Sequence, residues 1–233
     1  MKYLIGNWKS NFNLSEAKDW IEATKPHYLP TENLQVILCP SFIHLPLFKT
    51  QFPELSLGSQ YISSFPNGAY TGQINSSMVS DLVDYCIVGH SERRTYFKES
   101  NQDISNQIDQ ALDYQITPII AVDKDNCHSQ LSIISQDKLK KSIIMYEPPE
   151  AISKQENLVG KGQAAPIDDV VEKIKEIKNE FSPKATIYGG SITSQNIVDF
   201  ISHPQINGVL PGSASLNPEE WLKIINLAAD IEK

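Results

Sequence analysis

Lys9, His90 and Glu147 each stand where an apolar run of the chain stops. Lys9 ends Gly6-Asn7-Trp8-Lys9, behind the apolar start of the sequence. His90 lies in Val88-Gly89-His90-Ser91-Glu92-Arg93-Arg94-Thr95, directly behind Tyr85-Cys86-Ile87-Val88. Glu147 follows Ile143-Ile144-Met145-Tyr146 and precedes Pro148-Pro149. A histidine, a glutamate and two arginines packed behind a buried strand are costly to desolvate without a task. An ammonium, an imidazole and a carboxylate at the ends of three strands are parts suited to proton transfer beside a carbonyl. A lysine in that place can polarise a carbonyl or neutralise a phosphate. Each residue taken singly has a plainer reading: a surface lysine, a core histidine bonded to backbone, a surface glutamate. Glu92, Arg93 and Arg94 read first as a buried ionic network. The coincidence of several such groups at strand ends outweighs the plain readings.

Those groups need elements to hold them. Strand-like runs fall at 3–8, 34–39, 55–60, 85–89, 117–122, 142–147, 184–188 and 206–210. Each is short and continuously apolar, as expected of parallel strands covered on both faces. Amphipathic helical patterns lie between them. The clearest spans 166–181, with Ile167, Val170, Val171, Ile174 and Ile177 on one face and Pro166 suited to the first turn. The last helix starts at Asn217-Pro218-Glu219-Glu220, a cap residue with Glu three places on. Only 123–141 separates the fifth and sixth runs, so the helix there is reduced or replaced by an irregular connection. Eight β-then-α units without a linker predict one (β/α)8 barrel domain over residues 1–233. The rival is a doubly wound open sheet, which calls for a glycine-rich nucleotide turn after the first strand; Asn7-Trp8-Lys9-Ser10-Asn11 is not one.

In such a barrel the functional loops follow the C-terminal ends of the strands. Pro148 restricts Glu147 to extended geometry and gives the carboxylate a stiff stem. The helix after His90 favours a neutral imidazole at its N-terminus. After the seventh and eighth runs come Tyr188-Gly189-Gly190-Ser191 and Gly208-Val209-Leu210-Pro211-Gly212-Ser213-Ala214-Ser215. Glycine loops there expose backbone N–H groups to an anion, so these two units predict a phosphate cradle.

Composition narrows the class. Hydrophobic residues make up 40%, enough for a large core, and 28 acidic against 20 basic residues give a net charge of -8. That balance argues against general nucleic-acid affinity, which needs clustered Lys and Arg. It leaves room for an anionic substrate in a locally positive pocket. No apolar run approaches the ~20 residues of a membrane span. The N-terminus turns polar too early for a signal peptide. Cys39, Cys86 and Cys127 lack paired metal-type spacing; Cys39 and Cys86 sit in strand-like runs and read as buried free thiols. The expected location is the cytoplasm.

These motifs, in order and at comparable spacing, resemble the triosephosphate isomerase family along nearly the whole chain: Gly-Asn-Trp-Lys, Gly-Ala-Tyr-Thr-Gly at 68–72, Gly-His-Ser-Glu-Arg-Arg, Tyr-Glu-Pro, Tyr-Gly-Gly-Ser and Gly-Ser-Ala-Ser. The resemblance implies interconversion of dihydroxyacetone phosphate and glyceraldehyde 3-phosphate through an enediolate, with no metal or organic cofactor. It implies Glu147 as base, His90 as electrophile and proton shuttle, and Lys9 as electrostatic partner of substrate. Glu92 would position groups or pass a proton, and Asn7 would position substrate. Ser191, Gly212 and Ser213 would bind phosphate, with Gly190 shaping the turn. It also implies a homodimer built by the 68–72 loop, with a tetramer possible. Residues 150–165 form a long loop expected to close as a lid, with Glu150 and Glu156 facing solvent. The chain departs from the family pattern at Glu150, where Trp is usual, and at 153–162 in place of a compact hinge. It departs again at Val122-Asp123-Lys124-Asp125, at Ser213 and at Tyr61. The short fifth unit is similar to that of compact archaeal-type members. Two other readings stand beside the isomerase: a different sugar-phosphate barrel, and a barrel that binds phosphate without turnover as a binding or scaffold protein.

Overall fold

Eight parallel strands close on themselves in the computed structural model, which describes residues 1–148, 151 and 164–231. They are β1 (Lys2–Asn7), β2 (Leu34–Cys39), β3 (Ser56–Ser59), β4 (Tyr85–Val88), β5 (Thr117–Val122), β6 (Ile143–Tyr146), β7 (Ala185–Gly189) and β8 (Gly208–Leu210). Each pairs with its neighbours in sequence, and β8 returns to β1. An open doubly wound sheet would leave two edges; this sheet has none. Closure brings Gly208 opposite Tyr3 and Val209 opposite Leu4. A Cβ on Gly208 would lie 2.2 Å from the Tyr3 carbonyl oxygen, so the seam closes only on glycine.

Continuous apolar strands face two cores. Tyr3, Ile5, Ile37, Ile119, Ile143 and Ile187 fill the barrel interior. Their alternates, among them Leu4, Val36, Leu38, Val88 and Ile144, meet the surrounding helices. Each side chain of this size removed from water contributes ~1.5–3 kcal/mol, which is why every strand stays apolar on both faces.

The expected strands agree with the observed ones to within a residue or two at their ends. At the C-terminal ends, Trp8, Gln60, Gly89 and Glu147, expected as strand, become the first residues of the loops that follow β1, β3, β4 and β6. Among the described residues the helices are α1 (Leu14–Thr24), α2 (Leu45–Gln51), α3 (Ser76–Val79), α4 (Ser91–Phe97), α5 (Asn101–Asp113), α6 (Cys127–Leu131), α7 (Gln136–Leu139), α8 (Ile167–Phe181), α9 (Ile197–Ile201) and α10 (Pro218–Ile231). Pro166 is the cap of α8 in extended geometry (ψ 133°), not a first-turn residue as expected. Asn217 accepts from the Glu220 N–H at 3.0 Å, as a cap residue should. Glu220 does not return to the cap backbone; its carboxylate accepts from the Ser194 N–H at 2.7 Å and ties α10 to the loop after β7. The fifth unit is reduced as expected, to the short helices α6 and α7. No helix among the described residues is long and apolar enough to cross a membrane.

Candidate active site

Strand parity aims the first two polar groups. Tyr3 and Ile5 point inward on β1, so Asn7, next in the same parity, reaches the mouth of the barrel. Its N–H donates to the Pro211 carbonyl (3.0 Å), and its Oδ1 accepts from the Lys9 N–H (3.0 Å). Lys9 adopts φ 52°, a left-handed conformation that a long side chain rarely takes. The Gln60 amide (2.8 Å) and the Ser41 hydroxyl (3.3 Å) both donate to the Lys9 carbonyl and hold that turn. The Lys9 ammonium meets Glu92 Oε1 at 2.5 Å, with both side chains about a third exposed.

On β6, Ile143 and Met145 face inward and Glu147 continues that parity. Its N–H donates to the Val122 carbonyl at 2.8 Å. On β4 the alternation is broken: Gly89, at φ 70°, interrupts the extended backbone before His90. Arg94 braces this bend through Nε to the Gly89 carbonyl (3.0 Å), with its other nitrogens on Asn101 and Gln130 (2.8 Å each). His90 then caps α4, its Nδ1 accepting from the Glu92 N–H at 3.2 Å.

The two buried groups meet. His90 Nε2 lies 3.0 Å from Glu147 Oε1, and Glu147 Oε2 accepts from the Ser91 N–H at 3.1 Å. Burial pushes the Glu147 pKa up, but His90 and the Ser91 N–H pull it below its ordinary value, and the carboxyl is ionised. Burial pushes the His90 pKa down, whereas the Glu147 carboxylate, with Glu92 beyond it, raises it overall. That direction is opposite to the expectation from the helix N-terminus alone, which left Glu147 out. The hydrogen bonds nonetheless hold a ring with its proton on Nε2, because the Glu92 N–H occupies the lone pair on Nδ1 where a second proton would go.

The loops expected to bind phosphate reach the same mouth. A Cβ on Gly212 would lie 3.6 Å from Lys9 Cε. Ser213 opens a short 3₁₀ turn, Ser213–Ser215, behind it. The Ser191 hydroxyl donates to the Ala151 carbonyl at 3.0 Å, on the far side of Pro148 from Glu147. Gly190 has a further cause: a Cβ there would fall 2.2 Å from the Tyr188 hydroxyl. All nine residues expected at the site therefore lie around the barrel mouth. The expected lid, 150–165, lies outside the described residues except for Ala151, Ala164 and Ala165.

Sequence reasoning missed three participants. Tyr188 is fully buried, stacks on Phe200 (centroids 4.6 Å apart) and accepts from the Ala165 N–H through its hydroxyl at 2.9 Å. In the sequence it stands only as the first residue of Tyr188-Gly189-Gly190-Ser191, which does not reveal where its hydroxyl goes. Ser91 and Gln60 act through bonds to groups distant in sequence and carry no local signal. Tyr61, noted as a departure, forms one face of a sandwich. The Arg93 guanidinium lies 3.8 Å over its ring and 4.7 Å over that of Phe97, with Arg93 Nε on Glu99 at 2.7 Å. These rings and Phe42 line an open cavity of about 240 Å³ that continues from Asn7, Lys9, His90 and Glu92.

The family profile for triosephosphate isomerase matches residues 2–228. The chain is 38% identical over 244 residues to the triosephosphate isomerase of Mesomycoplasma hyopneumoniae strain 7448, covering 96% of this chain and 98% of the relative. It is 32% identical to that of Francisella tularensis subsp. novicida strain U112 (99% and 98% covered). It is 34% identical to that of Dehalococcoides mccartyi strain ATCC BAA-2100 (98% and 97% covered).

Proposed function

The chain belongs to the triosephosphate isomerase family, and from that premise we propose how its residues interconvert dihydroxyacetone phosphate and D-glyceraldehyde 3-phosphate, a step of glycolysis and gluconeogenesis. The observation that carries the reading is the Glu147–His90 pair at 3.0 Å, adjoined by Lys9 and Glu92 at one barrel mouth. Without substrate the two working charges are both engaged, Glu147 by His90 and Ser91, and Lys9 by Glu92. Substrate exchanges those partners. Its oxygens take the Lys9 ammonium and the His90 Nε2–H, and Glu147 turns to the carbon-bound proton. Glu147 removes the proton from the carbon beside the carbonyl, and the electron pair moves onto the oxygen as an enediolate. His90 passes a proton between the two oxygens, and Glu147 returns its own to the neighbouring carbon. Once Glu147 leaves the ring, the larger of the two carboxylate influences that raised the His90 pKa is gone, and only that of Glu92 remains. Burial and the N-terminus of α4 then favour the neutral imidazole that donates best to an enediolate. Asn7 fixes Lys9, and Ser191, Gly212 and Ser213 take the phosphate, with Gly190 making room for Tyr188.

We read residues 1–233 as one barrel domain acting in the cytoplasm on a small phosphorylated triose. We also read the active form as a homodimer, with a tetramer as the other outcome of the measurement below. Phe65 and Tyr70 stack at 4.5 Å and are over 40% exposed, an apolar tip that a second copy would cover. The cavity beside Lys9, walled by Phe42, Tyr61 and Phe97, is of matching chemistry.

A coupled assay on glyceraldehyde 3-phosphate tests the activity. Glu147→Gln should lower turnover about 10²–10⁴-fold with the melting temperature little changed. Near wild-type turnover would remove Glu147 as the base. A folded wild type that binds phosphate without turnover would favour the scaffold reading instead.

A further inference from the structure

Trp20 lies on α1, away from the barrel mouth, yet its indole N–H donates to the Ser215 carbonyl at 3.1 Å, across 195 residues of chain. Trp8 donates to the same oxygen at 3.2 Å. Two buried indoles thus use both lone pairs of one carbonyl. Their rings meet edge to face at 5.2 Å, and both pack against Phe48. Ser215 ends the Ser213–Ser215 turn and is fully buried. Its N–H and its hydroxyl both return to the Gly212 carbonyl, at 3.0 and 2.7 Å. Both donors of Ser215 and its carbonyl are therefore committed, and its orientation sets that of Gly212 and Ser213.

We propose that Trp20 is a positioning residue for the phosphate-binding loop, holding the Ser213–Ser215 turn at the angle that presents Gly212 and Ser213 to the substrate phosphate. The inference rests on the reading of those two residues as phosphate ligands. Filling the space beside Trp8 and Phe48 requires an aromatic ring only; the aimed N–H is what a phenyl ring could not supply. Trp8 stands between Asn7 and Lys9, so changing it would disturb both. The hydrogen bond and ring contacts of Trp20 go to Ser215, Trp8 and Phe48, none of them assigned to substrate, which makes it the cleaner test.

Trp20→Phe keeps most of the packing and removes the donor. The expected result is a rise in KM and in the competitive inhibition constant of inorganic phosphate, both by roughly threefold to tenfold, the span of one buried hydrogen bond. Turnover should stay within about twofold. A lower melting temperature with KM and phosphate inhibition unchanged would reduce Trp20 to packing and overturn the proposal. If phosphate fails to compete with substrate in the wild type, the assignment of Gly212 and Ser213 falls first, and the role of Trp20 with it. A second measurement avoids any variant that folds poorly. Titrating the ¹⁵N-labelled wild-type protein with inorganic phosphate should shift the Trp20 indole resonance together with that of Trp8. A Trp20 resonance that stays fixed through saturation would overturn the proposal.

Discussion

Histidines 44 and 90 are both buried, and their different partners give them different fates with pH. His90 has a carboxylate at 3.0 Å and two ring nitrogens engaged. His44 is wholly buried beside Trp8, with neither ring nitrogen hydrogen-bonded among the described residues. Burial alone pulls its pKa below the ordinary 6.5. The unfolded chain regains the ordinary value and takes the proton first on acidification. His44 therefore costs no stability from this source above about pH 6.5, and stability falls as pH drops below that toward the folded pKa. His44→Phe removes the slope. Thermal melts across pH should show the variant gaining on wild type from about pH 7.5 to about pH 5; parallel curves would show that His44 does not titrate this way. Lys9, His90 and Glu147 were legible in the sequence because each polar group follows directly on an apolar run. The left-handed Lys9 backbone and the His90–Glu147 contact were not, since each joins residues more than 30 positions apart, Lys9 with Gln60 and Glu147 with His90 and Ser91.

Each side chain proposed for the reaction is held by how its element ends. β6 ends in a proline that stiffens Glu147, and β4 ends in a left-handed glycine that turns His90. β7 ends beside a tyrosine whose hydroxyl reaches Ala165, just past the long connection from β6. Tyr188→Phe would leave the buried Ala165 N–H without that acceptor, a loss of about 1–3 kcal/mol in local order. If that tether sets the geometry of the loop root during catalysis, turnover should fall about tenfold. A lower melting temperature with unchanged turnover would make the bond purely structural. The strands were readable because continuous apolar runs have few other fates at this length. The reduction of the fifth unit was readable from its length alone. What replaced the missing helix was not: Gln130 on α6 meets Arg94 on α4, a contact that no local periodicity encodes. Pro166 was misplaced by one position because a proline fits both the cap and the first turn.

At the scale of the molecule, the Phe65–Tyr70 tip and the aromatic cavity are two apolar surfaces that a second copy would cover. On the homodimer proposal, Tyr70→Asp should shift the protein toward monomer in sedimentation at micromolar concentration and lower activity with it. A wild type that is monomeric and fully active would remove the second copy from the account. The ring of strands also imposes an order in time. Lys9 follows β1, Gly212 follows β8, and the two come together only across the seam where Tyr3 meets Gly208. On the ribosome, the mouth of the barrel cannot form until the eighth strand has been made. Until then β1 and β7 stand as open edges able to pair with other chains. A nascent chain of this protein is thus most in need of a chaperone just before its last strand emerges, and it becomes an enzyme only when the seam shuts.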